Sequence, residues 1–224
     1  MTKEKISIVI PALNEDKNIA HVINGVKRVL GSKKYEIIVV DGHSSDNTAA
    51  ISRNAGAKVI YDNIGKGSAL IKGLGYSRGD IVVAMDADLS NEPKELNLLI
   101  KGIEIGYDVC MGSRFMAGGS SEDISLIRKF GNRFFVWLVN AIFGSNYSDM
   151  CYGYRSFSRK AIEKLGLKET GFGIETEINI KAMKNRLKVL EVPSTEKQRA
   201  AGDPKLRTFN DGYAILRTII KNLV

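Results

Sequence analysis

The sequence predicts an α/β protein with a doubly wound, mostly parallel central sheet and helices on both faces. Three observations predict it. Short β-branched runs alternate with helical stretches through the first half of the chain. The runs are apolar without a break, as expected of strands covered on both faces. The polar residues that end them collect at their carboxyl termini, where sheets of this kind bind ligands.

Taken in order, KISIVIPAL (5–13), YEIIVVDG (35–42), AKVIYD (57–62) and IVVAMDAD (81–88) read as strands. Helical stretches fall between them at Asp16–Leu30, Asp46–Gly56 and Lys66–Arg78. A β-α-β-α order of this kind requires right-handed crossovers and hence parallel neighbours. The second half is less regular. Strands are predicted at Asp108–Phe115, Tyr152–Ser158 and Leu187–Val192, and helices at Ser125–Phe143, Ile174–Lys184 and Phe209–Leu223. No repeat, low-complexity tract or linker interrupts the 224 residues, so one domain spanning 1–224 is expected.

A formal net charge of +8 favours anionic partners, but Lys and Arg are spread along the chain rather than massed, which argues against nucleic acid. Cys110 and Cys151 are too few for a disulfide framework or a metal quartet and read as reduced thiols. The opening MTKEKISIV lacks the apolar core of a secretory leader, so a cytoplasmic protein is expected. No stretch approaches the roughly 20 apolar residues of a spanning helix. The longest, Phe134–Phe143, is assigned mainly to core. With the terminal helix it could instead form a surface lying on the cytoplasmic membrane face, with Arg217 and Lys221 at the headgroups.

Three strand ends carry the chemistry. PALNE places Glu15, and DGHSSDNT places Asp41, on the nucleotide-binding edge of such a sheet. Each also has a bland reading as a strand-to-helix turn, with Asn14, Asp16, Ser44 or Ser45 as helix caps. DADLSN places Asp86 and Asp88 two residues apart. In an extended segment both carboxylates face one side, and such a pair repels unless a cation sits between them. Oxygen ligands suit Mg²⁺ or Mn²⁺. The bland alternative is a turn leading to a helix with Pro93 at its first position. No GxxxxGK[ST] loop occurs, and GKGSAL (65–70) has Leu70 where a GxGxxG motif needs its last glycine. Without a glycine cradle a diphosphate needs another neutraliser, which favours the cation. Basic residues in polar loops, Arg114, Arg128, Arg199 and Lys205, suit a reaction that leaves charge on a diphosphate.

The chain resembles the family 2 glycosyltransferases with a GT-A fold, and most the dolichyl- or polyprenyl-phosphate mannosyl- and glucosyltransferase branch. The matching pieces run in order through SIVIPALNE, EIIVVDGHSSDNT, NIGKGSALIKGL, DIVVAMDADLSNEP, VCMGSRF, RKFGN, SDMCYGYRSFSRK, GFGIETEINIKA and EVPSTEKQRAAGDPKL. The resemblance implies that 1–115 binds the nucleotide sugar and 116–224 the acceptor. It implies that Pro11, Leu13, Glu15 and Asp41 line the nucleoside pocket. Asp86, the Ala87 backbone and Asp88, with Ser90 nearby, would hold Mg²⁺ or Mn²⁺ and the donor diphosphate. Arg114 would approach a phosphate, Asp149 the acceptor, and Arg199 and Lys205 would fold over the substrates. Glu175 and Glu177 lie two apart on one helix, so at most one reaches the cleft; the branch favours Glu177. Ser90, Leu13 and Asp203-Pro204-Lys205 replace the Gln, Tyr and Glu-Ser-Lys usual there, which leaves the sugar and the acceptor open. The implied reaction is inverting transfer of a mannose- or glucose-type sugar from a GDP- or UDP-sugar to a polyprenyl or dolichyl phosphate. The rivals are a soluble-sugar or glycolipid hydroxyl acceptor, a sugar-phosphate nucleotidyltransferase, and a non-enzymatic nucleotide-binding module.

Overall fold

The computed structural model describes residues 5–200 and 208–223, without the side chains of 208–210. Its centre is a seven-stranded sheet. The first half supplies β1 (Ile6–Ala12), β2 (Tyr35–Asp41), β3 (Lys58–Tyr61), β4 (Ile81–Ala84) and β5 (Val109–Ser113), alternating with α1 (Ile19–Leu30), α2 (Thr48–Asn54), α3 (Lys66–Tyr76) and α4 (Leu96–Glu104). Next come a short β6 (Ser120–Ser121), α5 (Leu126–Phe143), β7 (Arg155–Ser158), α6 (Arg159–Leu165) and α7 (Ile174–Lys184). The chain continues through β8 (Val189–Pro193), β9 (Thr195–Glu196) and α8 (Thr208–Lys221). The sheet order is β3-β2-β1-β4-β7-β5-β8, and only β7 runs antiparallel to its neighbours β4 and β5. β6 pairs with β9 in a separate two-stranded ribbon. This is the GT-A fold that the resemblance implies.

Alternation along the inner strands feeds two cores. Ile6, Ile8 and Ile10 of β1 pack with Ile23 of α1 and Leu99 of α4 on one face. Val9 of β1 and Val40 of β2 pack with Leu74 of α3 and Ile178 of α7 on the other. α3 lies tightly on the sheet: a Cβ on Gly73 would stand 2.3 Å from Val9 Cγ1. A third cluster joins Met111 of β5 to Val139 of α5 and to Ile215 and Ile219 of α8.

Sequence periodicity missed α6 and placed α4 only as the helix after Pro93; Pro93–Glu95 is a 3-10 turn leading into α4. Of the expected caps, none holds. Asn47 and Asn18 occupy the N-cap positions of α2 and α1. Instead the two turns lace together: Asn14 N donates to Ser44 Oγ, Ser45 N to Asn14 Oδ1, and Glu15 N to Thr48 Oγ1. The core assignment of 134–143 holds for Phe135, Val136, Leu138, Val139 and Phe143, which belong to or pack on the third cluster. Only Asn132 and Val139 of α5 are buried, while Phe130 and Trp137 are 72% and 64% exposed. No helix among the described residues is long and apolar enough to cross a membrane.

Opposite the ligand edge, one carboxylate ties the strand starts. Glu36 of β2 accepts from Ser7 Oγ and Arg78 N and pairs with Lys5 and Lys58 at 3.1 and 3.0 Å. Burial alone would raise its pKa, but Lys58, Ser7, the Arg78 amide and Lys5 together hold it down at about 2, from 4.5. A carboxyl whose folded pKa is depressed stabilises the fold above its unfolded pKa and loses that contribution on acidification. The melting-temperature difference between wild type and Glu36→Gln should therefore be full near neutrality and shrink as pH falls from about 4.5 towards about 2. Equal differences at pH 7 and pH 2.5, by scanning calorimetry, would contradict this.

Candidate active site

A cleft of about 700 Å³ opens at the carboxyl edge of β1 and β4. Its polar end is lined by Pro11, Leu13, Glu15, Asp86, Ala87 and Asp88, with Ser90 beside them. The strand itself stops at Ala84, so the acid pair stands on a turn rather than on an extended run. The turn is rigid: Leu89 adopts a left-handed φ of 67°, Ser90 N donates to Asp88 Oδ1, and Asp86 N donates to the buried Asn91 Oδ1. The turn reading therefore holds for this segment, and the turn is also what presents both acids to the cleft.

Each acid has its own resident cation. Lys66 Nζ, on the first residue of α3, lies 3.0 Å from Asp86 Oδ1 and 3.0 Å from Glu175 Oε1. Burial works against its charge, yet Asp86 and Glu175 more than offset that and raise its pKa. Arg199 bridges Asp88 Oδ2 at 2.7 Å and Glu15 Oε1 at 2.9 Å, and its pKa is raised against its burial by Asp88 and Glu15. Among the described residues, four carboxylates thus meet two cations in the ion pairs of this site, a formal excess of two negative charges. That excess and the hard oxygen donors fit a divalent cation held by Asp86 and Asp88. No group of three metal-ligating side chains occurs among the described residues, so phosphate oxygens and water would complete the coordination, the usual arrangement for Mg²⁺.

Sequence reasoning missed Lys66, although its signal was the failed GKG motif. The two glycines serve packing: a Cβ on Gly65 or Gly67 would stand 2.6 Å from Thr170 O or 2.3 Å from Glu169 O. They let α3 close on the 169–171 loop, which sets Lys66 beside Glu175.

Three expected residues sit elsewhere. Glu175 lines the cleft, whereas Glu177 points away, accepting from Lys168 N and Glu169 N and pairing with Lys181. Asp41 is 1% exposed and outside the cleft lining, with Ser44 donating to both its oxygens. Asp149 is fully buried, and Arg114 takes both its oxygens at 2.7 and 2.9 Å, so it cannot reach an acceptor. Arg114 does line the cleft, but its guanidinium is clamped between Asp149 and Glu196 and lies over the Tyr152 ring. It acts as a strut joining the end of β5 to the 149 turn and β9. Lys205 lies outside the described residues.

Beyond this polar floor the cleft is walled by Ile124, Ile127 and Phe135 from the α5 side and Ile215 of α8, interleaved with Asp123, Arg128, Asn132 and Asp211. Cys151 also lines it, but burial first and Asp149 second push its thiol up to about 12, which leaves no thiolate nucleophile.

Residues 7–166 match the family model described as glycosyl transferase family 2. The chain belongs to that family. This decides against a nucleotidyltransferase and against a non-enzymatic binding module. A dolichol-phosphate mannosyltransferase of Pyrococcus furiosus is 34% identical over 91% of this chain, which spans only 59% of that relative. A polyprenol monophosphomannose synthase of Mycolicibacterium smegmatis is 28% identical, covering 96% of this chain and 85% of its own. Among solved structures, glucosyl-3-phosphoglycerate synthase of Mycobacterium tuberculosis superposes with a TM-score of 0.78 at 23% identity, over 98% of this chain and 80% of that one. That enzyme was crystallised with Mn²⁺, uridine diphosphate and glucosyl-3-phosphoglycerate.

Removing one partner of a buried ion pair strands the other charge, at a cost of about 3–5 kcal/mol. Asp149→Ala should destabilise the fold by that order in urea titrations, because Arg114 is left with Glu196 alone. An unchanged urea midpoint would refute the strut.

Proposed function

We propose that this domain is a metal-dependent, inverting hexosyltransferase that moves a mannose- or glucose-type sugar from a GDP- or UDP-sugar to a polyprenyl or dolichyl phosphate. The observation that carries the proposal is the composition of the cleft, with carboxylates as hard oxygen donors at the sheet edge and, towards α5 and α8, the apolar Ile124, Ile127, Phe135 and Ile215 interleaved with Asp123, Arg128 and Asp211. A nucleoside diphosphate with its cation fits the first end, and a prenyl chain the second.

Pro11, Leu13 and Glu15 would take the nucleoside, and the Asp86–Asp88 turn the diphosphate and cation. A bound Mg²⁺ or Mn²⁺ would supply charge neutralisation to the departing diphosphate. Lys66 and Arg199 add fixed positive charge near the same group, in a site whose turns need little reorganisation. An acceptor phosphate oxygen attacks the anomeric carbon from the far side, the bond to the diphosphate oxygen breaks, and the nucleoside diphosphate leaves. A phosphate acceptor is already anionic and needs no base. The burial of Asp149 suits that acceptor better than a hydroxyl, which would need its proton removed. The cleft carboxylate nearest to such a role, Glu175, is engaged by Lys66.

The exposed side of α5 supports contact with a membrane surface. Leu126, Phe130, Phe134 and Trp137 are exposed there, and Tyr213 and Ile220 on α8. Arg and Lys residues are interleaved with them, as on interfacial helices.

Asp88→Ala should lower sugar transfer by two or more orders of magnitude and leave the far-UV spectrum unchanged. Labelled GDP- and UDP-sugars would be offered with polyprenyl phosphate and soluble sugars in parallel. Full activity in the variant would sink the cation assignment, and transfer only to soluble sugars would replace the acceptor. Phe130→Glu/Trp137→Glu should sharply reduce co-sedimentation with vesicles containing phosphatidylglycerol. Unaltered co-sedimentation would remove the membrane surface from the proposal.

A further inference from the structure

The resemblance places Arg199 over the substrates, and the ligand-free cleft shows it instead seated on two carboxylates. The stretch that carries it is zipped along the acid turn. Asn91 and Glu196 form an isolated bridge, Lys197 N donates to Ser90 O at 2.9 Å, and Ala200 N approaches Asp88 O at 3.4 Å. Lys197 also pairs with Glu92. The backbone around Arg199 is thus fixed against residues 88–92, while its side chain reaches across the cleft to Glu15.

The consequence lies at Asp88. One of its oxygens, Oδ1, accepts from Ser90 N. The other, Oδ2, is occupied by Arg199 Nη2 at 2.7 Å. A divalent cation that takes Asp88 as a ligand meets the positive charge of a guanidinium already seated on Oδ2. Lys66 differs. It stands on Asp86 from the first turn of a packed helix and is balanced by Glu175, so it is built to stay. Arg199 has two partners that are both proposed substrate ligands, and a side chain that can rotate without moving its backbone.

We infer that Arg199 is a positioning residue that couples cation binding to donor binding: in the ligand-free cleft it shields Asp88 and Glu15, and it yields Asp88 when a nucleoside diphosphate arrives with the cation. The diphosphate gives the guanidinium a better partner, because a guanidinium binds phosphate oxygens through a planar, bidentate fork. The free cation offers it none. The cleft therefore binds cation alone weakly and cation with diphosphate strongly, and by linkage each ligand strengthens the other by the same factor. This rests on the metal-dependent reading above and deepens it.

The test measures Mn²⁺ binding directly, by the electron paramagnetic resonance signal of free Mn²⁺, with and without UDP or GDP. Sugar transfer is not needed. Charge-assisted contacts of this kind suggest that Arg199→Gln binds Mn²⁺ alone about tenfold more tightly than wild type. The strengthening of Mn²⁺ binding by nucleoside diphosphate should shrink by a similar factor. Arg199→Lys, whose single ammonium cannot span both carboxylates, should fall between the two. Thermal melts without ligand establish that each variant is folded. Equal Mn²⁺ affinities in wild type and Arg199→Gln, both lost in Asp88→Asn, would overturn the coupling role and leave the metal-dependent reaction standing. Absence of Mn²⁺ binding in all three proteins, with and without nucleotide, would overturn both.

Discussion

Four carboxylates, from Glu15, Asp86, Asp88 and Glu175, converge on one end of a parallel sheet, and their mutual repulsion is the constraint around which this half of the molecule is arranged. Like charges at these separations destabilise a fold unless cations or hydrogen bonds meet them. Two cations do so from opposite directions. Lys66 arrives on a helix whose glycines let it close against the 169–171 loop, and Arg199 arrives on a segment hydrogen-bonded along the acid turn. The formal excess of two negative charges among these described residues favours a cationic ligand. Stability and binding are therefore set by the same charges.

A second, deeper ion pair stabilises the opposite wall. Arg114 and Asp149 are almost wholly removed from water, and Glu196 and the Tyr152 ring complete the guanidinium's surroundings. A dry pair of this kind holds geometry more than it adds stability, since desolvation consumes most of the Coulombic gain. Its effect is to lock the end of β5, the 149 turn and β9 together, so that the segment leading to Arg199 leaves from a fixed point.

The fold was legible because β1, β2 and β4 are buried on both faces and so carry unbroken β-branched runs. The acid turn was legible because Asp86 and Asp88 interrupt such a run. The rest depended on which side of an element met the core. α7 is buried on nearly all sides, so no stripe distinguished Glu175 from Glu177. Asp149 was expected at the acceptor, yet it is fully buried because Arg114 takes both its oxygens, a pairing across 35 residues that no local pattern announces. Lys66 was hidden by the glycines on either side of it. They were weighed as a phosphate loop, whereas they serve the close approach of two backbones. In α5 hydrophobicity alone did not separate Phe135, Leu138 and Val139, which meet the core, from Phe130, Phe134 and Trp137, which are exposed.

Gly153 lines the cleft directly beside the charge cluster. A Cβ there would stand 3.2 Å from Asp86 Oδ2, 3.4 Å from Glu175 Oε1 and 3.4 Å from Lys66 Nζ. One additional carbon would press on Asp86 by a few tenths of an ångström and meet Glu175 and Lys66 in van der Waals contact. Any longer side chain at residue 153 would reach the charge cluster before it reached a substrate, so variation in this cleft that spares the cluster falls on its other lining residues.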